Sequence, residues 1–272
     1  MTLKVGVFVD SENVRYNGGY HLRYDVLRTF AGRNDRRLIR LNTYVAFDQE
    51  RASQDPEYAK KSFLYQQQAR QFGWKVNLKN VRRFTNDDGQ TTIKANTDLD
   101  IAVDALTQSE HLDEILLVTG DGDFQPLVTA LQNRGCRVEL MGFDNVSRQL
   151  QRQVDQYHSG FLIPNLVPIA YEPKNQWGRT GSCVRGICAK WFPDKGYGFL
   201  GFLDRIDDNS WITNARLKES PWKSVFCHIN EVASDVTEDD LVQGDTVLEF
   251  YLQESPQEED GLVAQNVRLV QA

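Results

Sequence analysis

Aspartate residues follow two predicted strands of this 272-residue chain. Asp10 comes directly after the apolar run at residues 3–9, and Asp121 and Asp123 come after a second apolar run at residues 115–118. Ligands of open α/β sheets bind outside the carboxyl ends of the strands. These carboxylates can meet only if the two strands are neighbours in one sheet, which a doubly wound strand order permits. We therefore predict a site built from the ends of two adjacent strands.

A third acidic cluster begins a predicted helix that Thr97 caps. Asp98 lies in the first turn and can face the same edge of the sheet, whereas Asp100 and Asp104 lie on a different face of the helix. Simpler structural roles are also open. Asp98 would then only stabilise the helix dipole, and Asp123 would only cap the next predicted helix.

Several carboxylates at one edge repel each other and call for a divalent cation. Oxygen ligands suit Mg²⁺ or Mn²⁺ rather than zinc. Such an ion activates water and stabilises the charge on a leaving oxygen, which is the chemistry of phosphodiester hydrolysis. The aspartate pattern therefore favours a metal-dependent phosphoesterase.

The segments around these aspartates resemble the motifs of the NYN domain, a branch of the PIN-like nucleases. They are Val-Phe-Val-Asp-Ser-Glu-Asn at 7–13, Thr-Asp-Leu-Asp-Ile-Ala-Val-Asp-Ala-Leu at 97–106, and Val-Thr-Gly-Asp-Gly-Asp-Phe at 118–124 followed by Gly-Cys-Arg-Val at 135–138. The resemblance covers residues 1–163 and implies a metal-dependent ribonuclease fold. It implies that the metal ligands are Asp10, Asp98, Asp121 and Asp123, that Asn13 helps to position the ion, and that Asp104 supports the site.

Alternating strands and helices across residues 1–163 predict a parallel α/β sandwich. We predict a helix at residues 56–72 with Phe63, Leu64 and Tyr65 directed inward, and a later helix at residues 146–157.

A predicted hairpin at residues 81–94 leads into the helix that carries Asp98. Its Arg82, Arg83 and Lys94 are candidates to bind a phosphate backbone beside the carboxylates. The alternative is that these exposed basic residues serve only solubility.

The remaining sequence has a different period. Residues 164–180 are rich in proline, show no sustained period and predict a linker between domains. Residues 181–272 show short alternating strands and no convincing helix, which is typical of a small β-barrel.

Aromatic residues in the predicted barrel recur two positions apart. Tyr197 and Phe199 share one face of a strand with Lys195, and Phe226 and His228 repeat the spacing. Aromatic rings beside a cation form a stacking surface for unpaired bases. The alternative is an aromatic barrel core.

These residues resemble the cold-shock domain, a nucleic-acid-binding barrel of the OB type. The matching motifs are Lys-Gly-Tyr-Gly-Phe-Leu at 195–200 and Val-Phe-Cys-His-Ile at 225–229, and coverage is 181–272. The resemblance implies that single-stranded RNA or DNA stacks on the aromatic side chains. The residues assigned to binding are Lys190, Trp191, Lys195, Tyr197, Phe199, Phe226 and His228. The segment at 201–224 is longer than in compact family members and contains Trp211, Trp222, Arg216, Lys218 and Lys223.

The net charge of −7 lies entirely in residues 171–272, because acidic and basic residues balance over residues 1–170. Bulk charge therefore argues against nonspecific phosphate binding, and a nucleic-acid site must be a local patch. The start lacks a signal peptide and no apolar run approaches a membrane span, so we expect a cytoplasmic protein. Four cysteines without a C-x-x-C spacing predict reduced thiols.

The sequence favours a metal-dependent endoribonuclease that binds single-stranded RNA through its barrel, with single-stranded DNA as a second possible ligand. The main alternative is a regulatory RNA- or DNA-binding protein that uses the first domain as a scaffold. A phosphatase acting on small phosphoesters is a weaker alternative, because Glu12 stands where such enzymes carry a second aspartate. Whether the chain forms a homodimer is open.

Overall fold

The computed structural model describes residues 2–85, 91–169, 176–256 and 261–270. For residues 82–85 and 91–94 it describes the strands only, and not the side chains. Two compact units are present. The first contains Met1–Tyr20 and Tyr24–Ser159, and the second contains His21–Arg23 and Gly160–Ala272. Residues 164–169 of the predicted linker lie in the second unit, while residues 170–175 fall outside the description. The domain boundaries at 163 and 181 stay a prediction.

A parallel six-stranded sheet forms the centre of the first unit. In chain order the strands of this unit are β1 Lys4–Asp10, β2 Arg37–Phe47, β3 Lys75–Asn80, β4 Arg82–Thr85, β5 Thr91–Lys94, β6 Glu114–Val118, β7 Arg137–Gly142 and β8 Gln156–Ser159. The sheet order is β3-β2-β1-β6-β7-β8, and β4 and β5 form a separate antiparallel pair. Because β1 and β6 are neighbours, with Val9 opposite Val118, the segments after both strands leave the sheet side by side.

Helices flank this sheet. They are α1 Ser11–Tyr16, α2 Tyr24–Ala31, α3 Gln49–Gln54, α4 Pro56–Gln71, α5 Thr97–Gln108, α6 Gln125–Asn133 and α7 Arg148–Gln153. Leu127, Val128 and Leu131 of α6 are buried in the same core cluster as Leu117 and Leu140 of the sheet. Strands buried on both faces explain the nearly continuous apolar runs that predicted a parallel sheet.

Three local predictions were wrong. Phe63 and Leu64 of α4 are 59% and 51% exposed, because Gln66 and Ala69 occupy the buried face. Asn96, not Thr97, is the N-cap of α5. The helix predicted at residues 146–157 is only α7, since its last residues form the edge strand β8.

The second unit contains a closed barrel. In chain order its strands are β9 Cys183–Phe192, β10 Tyr197–Leu203, β11 Trp222–His228, β12 Leu248–Glu254 and β13 Leu262–Leu269, arranged β10-β11-β13-β12-β9. This architecture is consistent with an OB-type fold. The predicted fold class, a parallel α/β sheet followed by a small barrel, is confirmed.

The expectation of no helix in the barrel region was wrong. A short helix, α8, spans Glu238–Gln243 and begins with a reciprocal capping box between Thr237 and Asp240. Its one buried residue, Leu241, belongs to the barrel core. No helix in the described part of the chain is both long and apolar enough to cross a membrane.

Candidate active site and nucleic-acid interface

Asp10 is the last residue of β1 and the N-cap of α1. Its carboxylate accepts a hydrogen bond from the Asn13 backbone N–H at 3.2 Å and one from the Thr119 hydroxyl at 3.4 Å. The residue is only 4% exposed. The capping bond therefore holds a buried carboxylate at the carboxyl edge of the sheet.

The loop after β6 places Asp121 and Asp123 beside the end of β1. Asp121 caps a 3₁₀ turn by accepting the Asp123 backbone N–H at 2.9 Å. The Asn13 side-chain oxygen accepts the Gly120 backbone N–H at 2.7 Å, which ties α1 to this loop. A Cβ atom on Gly120 would lie 3.4 Å from that oxygen and 3.3 Å from the Val146 Cα, so the close approach favours glycine. Asn13 thus connects the two strand ends.

Burial and neighbouring carboxylates raise the pKa of two aspartates at this edge. Burial raises the pKa of Asp10 to about 6, and the negative charges of Asp98 and Asp121 add to the shift. Burial also raises the pKa of Asp98, with further contributions from Asp121 and Asp123. The structure therefore brings the four predicted aspartates into one electrostatic cluster, which we call the carboxylate edge.

No described cationic side chain neutralises the carboxylate edge. None of its four aspartates forms an ion pair with a described lysine, arginine or histidine. The donor chemistry, carboxylate oxygens in excess, fits Mg²⁺ or Mn²⁺. The carboxylates are too widely separated to form a preassembled metal site, because among the described residues no group of three carboxylate, imidazole or thiol side chains is placed to hold a metal ion. A cation would have to draw the carboxylates together.

The other two aspartates of α5 have protein partners. Asp104 accepts a hydrogen bond from the Tyr44 hydroxyl at 2.7 Å. Asp100 forms an ion pair with Lys79 at 2.7 Å. These contacts support the predicted separation of both residues from Asp98. The side chains of Arg82, Arg83 and Lys94 lie outside the described residues, so their proposed phosphate contacts stay a prediction.

A buried group of hydroxyls beside Asp10 was not predicted. The Ser11 hydroxyl lies 2.7 Å from that of Thr43 and 3.2 Å from that of Tyr65. The Tyr24 hydroxyl is 2.8 Å from Thr43 and 2.6 Å from Tyr65. Since Ser11 follows Asp10 directly, this network fixes the start of α1 and with it the direction of the carboxylate.

The predicted aromatic residues of the barrel form one partly exposed surface. Tyr197 lies opposite His228 across β10 and β11, and Phe199 lies opposite Phe226. The ring centroids of Tyr197 and Phe226 are 5.6 Å apart, and those of Phe199 and Phe226 are 6.0 Å apart. Cross-strand pairs share a face, so these four side chains and Phe192 make up a single surface that we call the aromatic platform.

Phe192 adds to the predicted surface and lies beside the predicted residues Lys190 and Lys195. The Phe192 centroid lies 5.3 Å from that of Tyr197, and the ammonium groups of Lys190 and Lys195 lie 4.7 Å and 5.7 Å from the Phe192 centroid. The sequence reasoning missed Phe192, although it follows the predicted Trp191 directly. Trp191 differs from the other predicted residues, because it pairs with Gly198 and packs against the barrel core.

Comparison with known proteins identifies the first unit. Residues 4–164 match the NYN domain. The chain is 25% identical over 161 residues to the low amplitude and bright protein LabA of Synechococcus elongatus, covering 57% of this chain and 82% of that protein. A crystal structure of a Vibrio parahaemolyticus protein of unknown function matches with a TM-score of 0.46 and 25% identity, over 57% of this chain and 91% of that one. The chain belongs to the NYN domain family, within the PIN-like nuclease superfamily.

Proposed function

We propose that this protein is a metal-dependent endoribonuclease that binds single-stranded RNA through its barrel and hydrolyses phosphodiester bonds at the carboxylate edge. The observation that carries the proposal is the uncompensated charge of four aspartates, three of them after the adjacent strands β1 and β6 and the fourth, Asp98, in the first turn of α5. A buried carboxylate without a counter-charge is unfavourable even when it is hydrogen-bonded, and a bound cation would offset that cost. Sites of this kind occur where function requires them.

Asp10, Asp98, Asp121 and Asp123 would hold Mg²⁺ or Mn²⁺, which supplies an activated water and stabilises the leaving oxygen. The residues of this chain provide the geometry. Asn13 and Thr119 hold Asp10 and the loop of Asp121 in register through their hydrogen bonds. The hydroxyl network around Ser11 keeps the first turn of α1 in place.

The barrel would bind the substrate by stacking. The aromatic platform is half-buried and flanked by Lys190 and Lys195, a combination that suits bases and the phosphates between them. This use of the platform agrees with the resemblance to a cold-shock domain. Phosphate contacts make the affinity dependent on salt.

A cleavage assay tests the enzyme. Labelled single-stranded RNA and the DNA of the same sequence are incubated with the full chain in Mn²⁺, Mg²⁺ or chelator. We expect cutting with the metals, and loss of at least about a hundredfold in the Asp98→Asn variant because it removes a ligand. Asp100→Asn is the matched control, since Asp100 lies on the same helix but is paired with Lys79. Equal cutting by Asp98→Asn and the wild type would refute the site.

A regulatory RNA- or DNA-binding protein without catalysis is the second candidate. Two observations favour it. The described carboxylates form no preassembled metal cluster, and Asp10 and Asp121 already accept hydrogen bonds from the protein. This candidate predicts that Phe199→Ala weakens RNA binding and that no metal produces cutting in any variant.

A further inference from the structure

The connection between β10 and β11 has a defined conformation. Residues 204–221 form this insertion, and its two ends are joined by a hydrogen bond from the Asp204 N–H to the Pro221 carbonyl at 2.9 Å. The indole N–H of Trp222, the first residue of β11, donates to the Ser210 carbonyl of the insertion at 2.7 Å, and the Ser220 hydroxyl donates to the Ile212 carbonyl at 2.6 Å. Buried Trp222 therefore anchors the segment that carries Trp211.

The Trp211 side chain is exposed to solvent. Its side chain is 67% exposed, whereas Trp222 is 7% exposed and Trp74 is 3% exposed. Among the described residues it stacks on no other ring. An indole that is this exposed contributes little to folding, and its ring is accessible for stacking by a planar ligand.

The cations of the insertion divide into two groups. Arg205 is paired with Asp207 at 3.3 Å, and Lys223, which follows Trp222, is paired with Asp204 at 3.0 Å. Arg216 and Lys218 are exposed and have no ion pair with a described carboxylate. The insertion thus repeats the composition of the aromatic platform, an aromatic ring accompanied by available positive charge.

The strands connect the two features. Beyond the pair Phe199 and Phe226, β10 and β11 continue with Gly201 opposite Ser224 and reach the insertion at Trp222. Gly201 is buried, and the Trp222 ring lies 3.5 Å from the position that a Cβ atom on Gly201 would take, so the anchoring indole covers the face between the platform and the insertion. An extended strand of nucleic acid that leaves Phe199 along β10 therefore runs toward the end of the barrel from which the insertion projects.

We propose that Trp211 is a second base-stacking position for single-stranded nucleic acid, with Arg216 and Lys218 binding the adjoining phosphates. This inference rests on the proposed binding function of the aromatic platform and extends its footprint. Short strands occupy the platform alone, whereas longer ones also reach Trp211.

The experiment measures how the affinity for single-stranded nucleic acid depends on the length of the strand. Fluorescein-labelled oligothymidylates of about four to sixteen nucleotides, the site-size range of OB-type barrels, are titrated with the full chain in chelator to prevent cleavage. We expect Trp211→Ala to match the wild type on the shortest strand and to bind the longest about tenfold more weakly, the effect of one stacked base. Leu217→Ala is the control, because Leu217 is 48% exposed on the same insertion.

A second readout uses the indole itself. Long strands should quench more fluorescence in the wild type than in Trp211→Phe, and short strands should quench both equally. Wild-type affinity of Trp211→Ala at every length, with Phe199→Ala weakened, would overturn the inference but leave the platform intact, and would assign Trp211 to a protein partner. Unchanged binding by Phe199→Ala would instead refute the platform. Equal weakening at all lengths would also contradict a separate second position.

Discussion

Glu139 and Asp10 are both buried carboxylates on strands of one sheet, but their surroundings have opposite character. Glu139 contacts Arg33 at 2.5 Å and His158 at 3.1 Å, and Arg36 lies 3.7 Å away. Burial alone would raise the pKa of Glu139, but the hydrogen bond from His158 and the charge of Arg33 more than offset it and hold the pKa well below its usual range. Asp10 has hydrogen bonds but no described cation, and burial raises its pKa to about 6.

Glu139 and its neighbour Glu114 lie near the amino ends of their strands, whereas Asp10 is the last residue of β1. Glu114 begins β6 and lies 3.2 Å from Arg36, whereas the carboxylate edge follows the end of β6. Burial and the nearby charge of Glu139 raise the pKa of Glu114 to about 7. Described arginines lie within ion-pair distance of both Glu114 and Glu139, an arrangement that we call the ion cluster, although the pKa of Glu114 stays raised. The carboxylate edge has no described ion pair, and we propose that a bound cation supplies its counter-charge. The two sets of carboxylates thus differ in whether described arginines accompany them.

Removing a counter-charged carboxylate should have the largest effect on stability. Glu139→Gln leaves Arg33 and Arg36 buried beside a neutral group, so we expect the free energy of unfolding to fall by about 3–5 kcal/mol. Urea denaturation monitored by circular dichroism measures the change. A loss below about 1 kcal/mol would show that the arginines do not depend on Glu139.

Removing a carboxylate that has no counter-charge should instead raise the free energy of unfolding. Asp10→Asn keeps a side-chain oxygen for the cap and eliminates a buried charge, so we expect the fold to gain about 1–2 kcal/mol at pH 8 without metal. The folded pKa of about 6 exceeds the unfolded value of 3.8, so protonation stabilises the folded state. The gain is therefore complete above pH 6, shrinks as the pH falls and vanishes below the unfolded value. Destabilisation at pH 8 would contradict the proposed charge imbalance.

The smallest expected effect concerns the hydroxyl network. Tyr65→Phe removes hydrogen bonds to Tyr24 and Ser11, so the free energy of unfolding should fall by about 1 kcal/mol. RNA cleavage should also decrease, because Ser11 adjoins Asp10. Tyr16→Phe is the matched control, since the Tyr16 side chain is 73% exposed. A larger effect from the control would show that the network does not position the site.

Periodicity was sufficient to predict the parallel sheet, the barrel and the position of Asp10 and Asp121 after two apolar strands. Buried strands appear in the sequence as apolar runs, and the end of each run predicts the end of its strand. The hydroxyl network could not be predicted, because Ser11, Tyr24, Thr43 and Tyr65 come from four separate segments with no common spacing. The ion cluster was missed for a related reason, since Glu114 and Glu139 lie within otherwise apolar strands.

Other errors arose where local patterns were short or ambiguous. Six residues of α8 are too few for a helical period, although Thr237 three positions before Asp240 is a readable capping signal. The apolar pair Phe63 and Leu64 suggested burial on α4, but the sheet covers the face that carries Ala69. Apolar composition alone does not determine which face of a helix is buried.

The most direct test of the central claim is the metal dependence of thermal unfolding. Wild type, Asp98→Asn and Asp100→Asn are heated at pH 7.5 with increasing Mn²⁺. Binding to the folded state adds about 2.7 kcal/mol when the ion is present at a hundred times its dissociation constant. We expect a rising Tm for the wild type and Asp100→Asn and a much smaller rise for Asp98→Asn. An identical rise in all three proteins, or none in the wild type, would contradict this expectation.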